Sequence, residues 1–219
     1  MMVLKKELVV RRLGRIDYEE ALALQKETER AVQTGEQVDT LLLLEHPHTL
    51  TIGRRGDDSG ILLPAALLAE RDVKVFETNR GGKITYHGLG QIVGYPIINL
   101  SPDREDVHRF VRDLEEVLIR TLADFEIPAF RISGLTGVHT DEGKVAEIGV
   151  HIARWVTTHG FALNVNTDLS YFDLIIACEG EPVTSMKKLL GRSIEMAMVE
   201  DRIEARFAEV FDLQPKQTA

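Results

Sequence analysis

The segment Arg80–Leu100, RGGKITYHGLGQIVGYPIINL, decides how the chain is read. It sets five glycines, Gly81, Gly82, Gly88, Gly90 and Gly94, beside strand-forming sequence. A phosphate-binding loop is the first candidate for so much bare backbone. A dinucleotide fingerprint needs G-x-G-x-x-G between strand and helix, and a Walker loop needs G-x-x-x-x-G-K-[ST]. Neither spacing is present, and Ile84, Thr85 and Tyr86 after the first glycine pair favour a strand. The local reading is a hairpin: VKVFETN over 73–79, a turn at Arg80-Gly81-Gly82, then KITYH over 83–87. That hairpin leaves Gly88 and Gly90 unexplained. Glycines around His87, Leu89 and Gln91 point to backbone approached closely by a ligand or another chain segment.

Outward from this segment, strands are expected at ELVVRRLG (7–14), TLLLLEH (40–46) and IVGYPIINL (92–100). Helices are expected over Tyr18–Thr34 and, briefly, at PAALLAER (64–71). The strongest helix signal follows, with Ser101 as N-cap, Pro102 at the first helical position and Asp103 in the first turn. From Val107 through Phe110, Leu114, Val117, Leu118 and Leu122 to Phe125, apolar residues keep helical spacing. Strands return between AFRIS (129–133) and GFALNV (160–165). The last third reads as short helices at DLSYFDLI, TSMKKLLG and SIEMAMVEDRIEARFAEVF. Strands and helices do not alternate regularly, so the fold class is α+β rather than doubly wound. One domain over 1–219 is expected.

A hydrophobic content of 44% is enough for a core. The net charge of −9 weighs against a nucleic-acid binder, which needs a basic footprint. No apolar run approaches the roughly 18 residues of a membrane span. The basic start MMVLKKELVVRRLGR lacks the apolar stretch and cleavage site of a signal peptide. Cys178 is the single cysteine, which rules out an intrachain disulfide and a thiolate cluster. A reduced, soluble, cytoplasmic protein is expected.

A lone cysteine is more often a small buried hydrophobe than a nucleophile. The apolar run before Cys178, and Glu179 and Glu181 after it, would raise the thiol pKa. Chemistry near pH 7 would require a cation or a helix N-terminus beside it. Thr184 and Ser185 look like caps of a following helix. Partners through space are His87, His139, His151 and His159, or a lysine acting as a cation or, once desolvated, as a base.

RGGKITYHGLGQ (80–91) resembles the signature of the lipoate-pathway octanoyltransferases: Arg-Gly-Gly, any residue, apolar, Thr, aromatic, His, then two variable positions and Gly-Gln. EHPHTLTIGRRG (45–56), GQIVGYPIINL (90–100), GKVAEIGVHIARWVTTHGFALNVN (143–166) and IIACEGEPVTSM (175–186) resemble further family segments, in the family's order. The resemblance implies the fold of the biotin and lipoate protein ligases, a mixed β-sheet flanked by helices. It places the nucleophile on Cys178 and the catalytic lysine on Lys144. It places the acyl-binding residues on Arg80, Gly81, Gly82, Lys83, Ile84, Thr85, Tyr86 and His87, on Glu147, Ile148 and Gly149, and on Gly160, Phe161 and Ala162. In this light the glycine-rich backbone cradles an alkyl chain rather than a phosphate.

The reaction so implied moves an octanoyl group from octanoyl-acyl carrier protein to one lysine of a lipoyl domain, through a thioester on Cys178. The acceptors implied are lipoyl domains of 2-oxoacid dehydrogenases and the glycine cleavage H protein. Thioester to thioester to amide runs downhill, so no cofactor, ATP or metal is called for. Three positions depart from the family pattern: Leu89 stands where Pro is common, Glu179-Gly180 follows the nucleophile, and His139 replaces an aromatic. An ATP-dependent lipoate or biotin ligase on the same fold is the nearest rival, and a non-catalytic acyl-carrier-binding module the next. Cys178 and the Arg-Gly-Gly…His…Gly-Gln loop favour the transferase. An acidic carrier meeting this acidic chain would need a local basic patch, expected from Arg80, Lys83, Lys187, Lys188 and Arg192.

Overall fold

A computed structural model describes residues 5–176 and 181–216. Its main sheet is built around Asp39–Glu45 (β2), whose four leucines form an unbroken apolar run. Such a run suits a strand covered on both faces. Leu41 and Leu43 enter one core, Leu42 and Leu44 the other, and all four are fully buried. Each is worth about 1.5–3 kcal/mol over an exposed leucine.

β2 runs parallel to Lys6–Arg15 (β1) and antiparallel to Gln91–Ile97 (β6). β6 pairs with Val156–Asn164 (β9), which pairs with Gly143–Ala153 (β8), which pairs with Val138–Thr140 (β7). Leu213–Pro215 (β10) adds a parallel edge on β1, giving a mixed seven-stranded sheet in the order β10-β1-β2-β6-β9-β8-β7. Helix Tyr18–Thr34 (α1) packs on one face, and helices Val107–Ala123 (α3) and Met196–Phe211 (α5) on the other. Two short helices complete the set, Ala65–Ala69 (α2) and Met186–Leu190 (α4). No helix among the described residues is long and apolar enough to cross a membrane.

Three local expectations are corrected. The expected hairpin does not form: Thr49–Ile52 (β3) lies between Lys74–Glu77 (β4) and Ile84–His87 (β5) in a separate three-stranded sheet. The 80–83 turn instead folds over the end of β3. Gly53 N–H donates to the Lys83 carbonyl at 2.7 Å, Arg54 N–H to that of Arg80 at 3.0 Å, and Arg55 N–H to that of Gly82 at 3.1 Å. Helix α3 starts later than expected. Asp106, in extended backbone, accepts from Arg109 N–H at 3.0 Å and is the true cap, whereas Ser101 sits in a turn closed by Arg104 N–H to the Leu100 carbonyl. Residues 129–133 form no strand; only Phe130 bridges to His139. Strand β10 was not anticipated, since three residues ending in proline carry almost no strand signal.

The glycines of 88–94 answer mostly to protein packing. At Gly94 a Cβ would collide with the tip of the ring of Phe161, its partner on β9. Gly90, at φ +79°, turns the chain against Asn166, whose carbonyl carbon would lie 2.6 Å from an added Cβ. The approach anticipated there is by another chain segment.

Candidate active site

A cavity lies between the 80–87 loop and the β6–β9–β8 part of the main sheet. Arg80, Gly82, Lys83, Ile84, Thr85 and His87 line one side; Glu147, Ile148, Gly149, Gly160, Phe161 and Ala162 line the other, and Lys144 is part of the wall. Gly81 and Tyr86 are outside the lining. Gly81 N–H is used on the Val150 carbonyl at 2.9 Å, and the Tyr86 phenol meets His48 Nδ1 at 2.8 Å. The sequence had not pointed to Tyr18, Arg55, Val93, Tyr95 or the Gly134-Leu135-Thr136 loop, all of which line the same space. Tyr18 opens an ordinary amphipathic helix and Arg55 sits in a polar loop, so neither carried a signal of its own.

The cavity has an open and a closed end. Arg55, Lys83, Gly134 and Thr136 are exposed, whereas Tyr18, Tyr95 and His159 are each 3% exposed. The rim loop is anchored from behind by Glu115, a carboxylate 1% exposed on α3. Its Oε1 accepts from Gly137 N–H at 3.2 Å, and its Oε2 meets Arg112 and Arg131 at 2.9 and 3.0 Å.

Lys144 is 4% exposed, not the solvated turn residue that Asp141-Glu142-Gly143 before it would suggest. Its Nζ lies 3.2 Å from Glu181 Oε2 and 3.4 Å from Glu147 Oε1. Glu181 also meets His139 Nε2 at 3.3 Å, and its carboxyl is held below the usual range by Lys144 and His139 against the opposing effect of burial. Backbone bonds tie Lys144 to the segment after the cysteine: its N–H donates to the Pro182 carbonyl at 2.8 Å and its carbonyl accepts from Thr184 N–H at 2.9 Å. Ser185, not Thr184, caps α4, accepting from Lys188 N–H at 3.2 Å. Cys178, with Glu179, lies outside the described residues.

A buried polar network joins the two walls. Arg80 is 7% exposed; its Nε donates to Thr51 Oγ1 at 3.1 Å and its Nη2 to the Thr51 carbonyl at 2.6 Å. His87 Nδ1 donates to Gln91 Oε1 at 2.9 Å, because Gln91 Nε2 is committed to the Tyr86 carbonyl and Asn164 Oδ1. Asn164 Nδ2 then donates to the Thr184 carbonyl at 3.2 Å. Arg80 therefore serves the loop's architecture, and it drops out of the solvent-facing basic patch expected above. Lys83, Lys187, Lys188 and Arg192 are exposed, with Lys188 Nζ 3.8 Å from Glu142.

His46, His87 and His159 are neutral near pH 7. Burial pushes His46 down to about 4 and His159 to about 3, and it holds His87 well below the ordinary value. His159 Nε2 is 2.7 Å from Asn79 Oδ1, and His151 is outside the lining. Among the described residues, no group of three or more His, Cys, Asp or Glu side chains is placed to hold a metal ion. The arrangement offers a pocket open at one end and closed at the other, with one buried lysine at its side.

Residues 17–208 match the family model of the lipoyl protein ligase A/B catalytic domain. An octanoyltransferase of Solibacter usitatus is 49% identical over 206 residues, covering 94% of this chain and 93% of that protein. An octanoyltransferase of Geotalea uraniireducens is 48% identical over 202 residues, covering 91% of each chain. Among solved structures, a lipoate-protein ligase A with bound ATP superposes with a TM-score of 0.78 at 14% identity, covering 98% of this chain and 89% of that one. At that identity the likeness concerns the fold, and it agrees with the mixed sheet flanked by helices.

Proposed function

This chain belongs to the lipoyl protein ligase A/B catalytic domain family, and on that premise we propose that it transfers an octanoyl group from octanoyl-acyl carrier protein to the ε-amine of a lysine on a lipoyl domain. The observation that carries this reading is the burial of Lys144 in the wall of a pocket with one closed end. A buried lysine costs stability unless its charge is used or neutralised. Here two carboxylates hold it as an ammonium beside the chain segment that leads to Cys178.

In the first step the Cys178 thiolate attacks the thioester carbonyl. A new sulfur–acyl bond forms, the carrier's sulfur leaves, and the ammonium of Lys144 supplies its proton. In the second step the neutral amine of the acceptor lysine attacks the acyl-enzyme. The amide bond forms, the Cys178 thiolate departs, and Lys144 takes the proton that the amine gives up. Each step leaves the charge count unchanged, and the second restores the starting pair.

Intact-protein mass spectrometry after mixing with octanoyl carrier protein tests the reading. An octanoyl adduct that is lost in Cys178→Ser supports it. An octanoyl-adenylate formed only with ATP and free octanoate would replace it with a ligase, and neither species would leave a binding module.

A further inference from the structure

We propose that Tyr18 is the stop that sets acyl-chain length, a specificity-determining role that rests on the transfer reading above. Tyr18 is 3% exposed and lines the cavity at its closed end, and its hydroxyl has no hydrogen-bond partner among the described residues. The ring is held by its neighbours instead, with Phe76 stacked at 5.0 Å and His46 tilted at 5.2 Å. Among the described residues nothing therefore uses the hydroxyl, and the residue faces the space that a chain terminus would reach.

Strand β8 gives the scale. Lys144 and Gly149 lie five residues apart on β8, about 17 Å of strand. Gly149 is level with Gly160, next to His159, which meets Tyr95 edge-on at 6.3 Å on the floor of the pocket. An extended eight-carbon acyl chain measures about 9 Å from carbonyl carbon to methyl, and a twelve-carbon chain about 14 Å, from bonds of about 1.5 Å. On this proposal the shorter chain ends before the tyrosine. The longer one runs into the ring and presses methylenes onto a hydroxyl left with no partner, which is unfavourable on both counts.

The test is a competition among octanoyl-, decanoyl- and dodecanoyl-carrier protein for a limiting lipoyl domain, read from the masses of the products. Tyr18→Leu, which shortens the stop, should raise the dodecanoyl-to-octanoyl product ratio at least tenfold over the unmodified protein. Tyr18→Phe, which keeps the ring, should change it by threefold or less. An unaltered ratio in Tyr18→Leu overturns the proposal. Calorimetry with free octanoate and dodecanoate reads the same length limit without any transfer. There Tyr18→Leu should strengthen dodecanoate binding relative to octanoate, and no relative gain overturns the stop. If the unmodified protein forms no acylated product while the calorimetric preference shifts as expected, the transfer reading fails and the length stop stands.

Discussion

Lys144 Nζ lies 3.2 Å from Glu181 Oε2, and that carboxylate stands between Lys144 and His139. The contact joins the strand bearing the buried lysine to the first described residue after the cysteine segment. Glu181 thus orients the ammonium and draws the two segments together. Glu181→Gln keeps the shape but weakens the hold, so kcat should fall about tenfold with KM for the carrier changed less than twofold, as expected when only orientation is lost. Steady-state kinetics would decide, and an unchanged kcat would remove Glu181 from the machinery.

Lys144→Arg separates charge from proton transfer. Guanidinium stays charged in proteins and cannot accept a proton. It also gives up no proton, so the variant should form the acyl-enzyme more slowly, with solvent protonating the carrier sulfur. Its second step should slow by about a hundredfold or more, within the usual range for general acid–base catalysis. Single-turnover chase of isolated acyl-enzyme with a lipoyl domain measures that step, and equal rates would refute proton acceptance.

Much of the fold was legible because burial writes itself into sequence. The run Leu41–Leu44 announces a strand covered on both faces, and α3 keeps its apolar face in register from Phe110 to Leu122. Strand partners were less legible. β4 and β5 look like a hairpin because they are neighbours in sequence, and only the long-range insertion of β3 separates them. The helix start was misplaced because Ser101 and Asp106 are both competent caps, and tertiary contacts chose the second. At the site, the glycine loop, Lys144 and the 147–149 and 160–162 segments carried motif signals. Tyr18, Arg55 and Glu115 carried none, since an aromatic at a helix start, a loop arginine and a helical glutamate are commonplace until the fold brings them together.

Glu115 bears the rim loop through Gly137 N–H and two arginines. Glu115→Ala leaves a buried N–H unpaired and Arg112 without its carboxylate, while Arg131 keeps only Glu116. Stability should drop by about 2–4 kcal/mol, from the cost of an unsatisfied donor plus a broken buried ion pair. Urea unfolding measures it; a loss below about 0.5 kcal/mol would mean that the loop holds itself.

The neutral histidines predict an acid limit on stability. For His46 and His159 the folded values, about 4 and about 3, lie below the unfolded value of 6.5. As pH falls below 6.5 the unfolded chain takes up protons that the folded one refuses, so stability declines with falling pH. Each histidine contributes a slope of about 1.4 kcal/mol per pH unit within its window, which closes near 4 for His46 and near 3 for His159. Thermal melts from pH 7.5 to 4 should show this decline, and His46→Gln should flatten part of it. Equal slopes in the two proteins would mean that His46 already titrates normally when folded.

The open end of the cavity is basic although the chain carries −9. Arg55 and Lys83 are exposed and line its rim, and Lys187 and Lys188 are exposed on α4, the helix that begins five residues after Glu181. An acidic carrier would be repelled by the chain as a whole and attracted by these cations at short range. Attraction of that kind is largely screened beyond a Debye length of about 8 Å at physiological salt. Reversing Lys187 and Lys188 to Glu should raise carrier KM severalfold at low salt and flatten its salt dependence, with kcat nearly unchanged. Arg55→Glu should do the same with a smaller effect on salt dependence, since one charge is changed rather than two. If all three reversals leave KM unaltered at low ionic strength, the carrier approaches from another face and the basic rim serves something else.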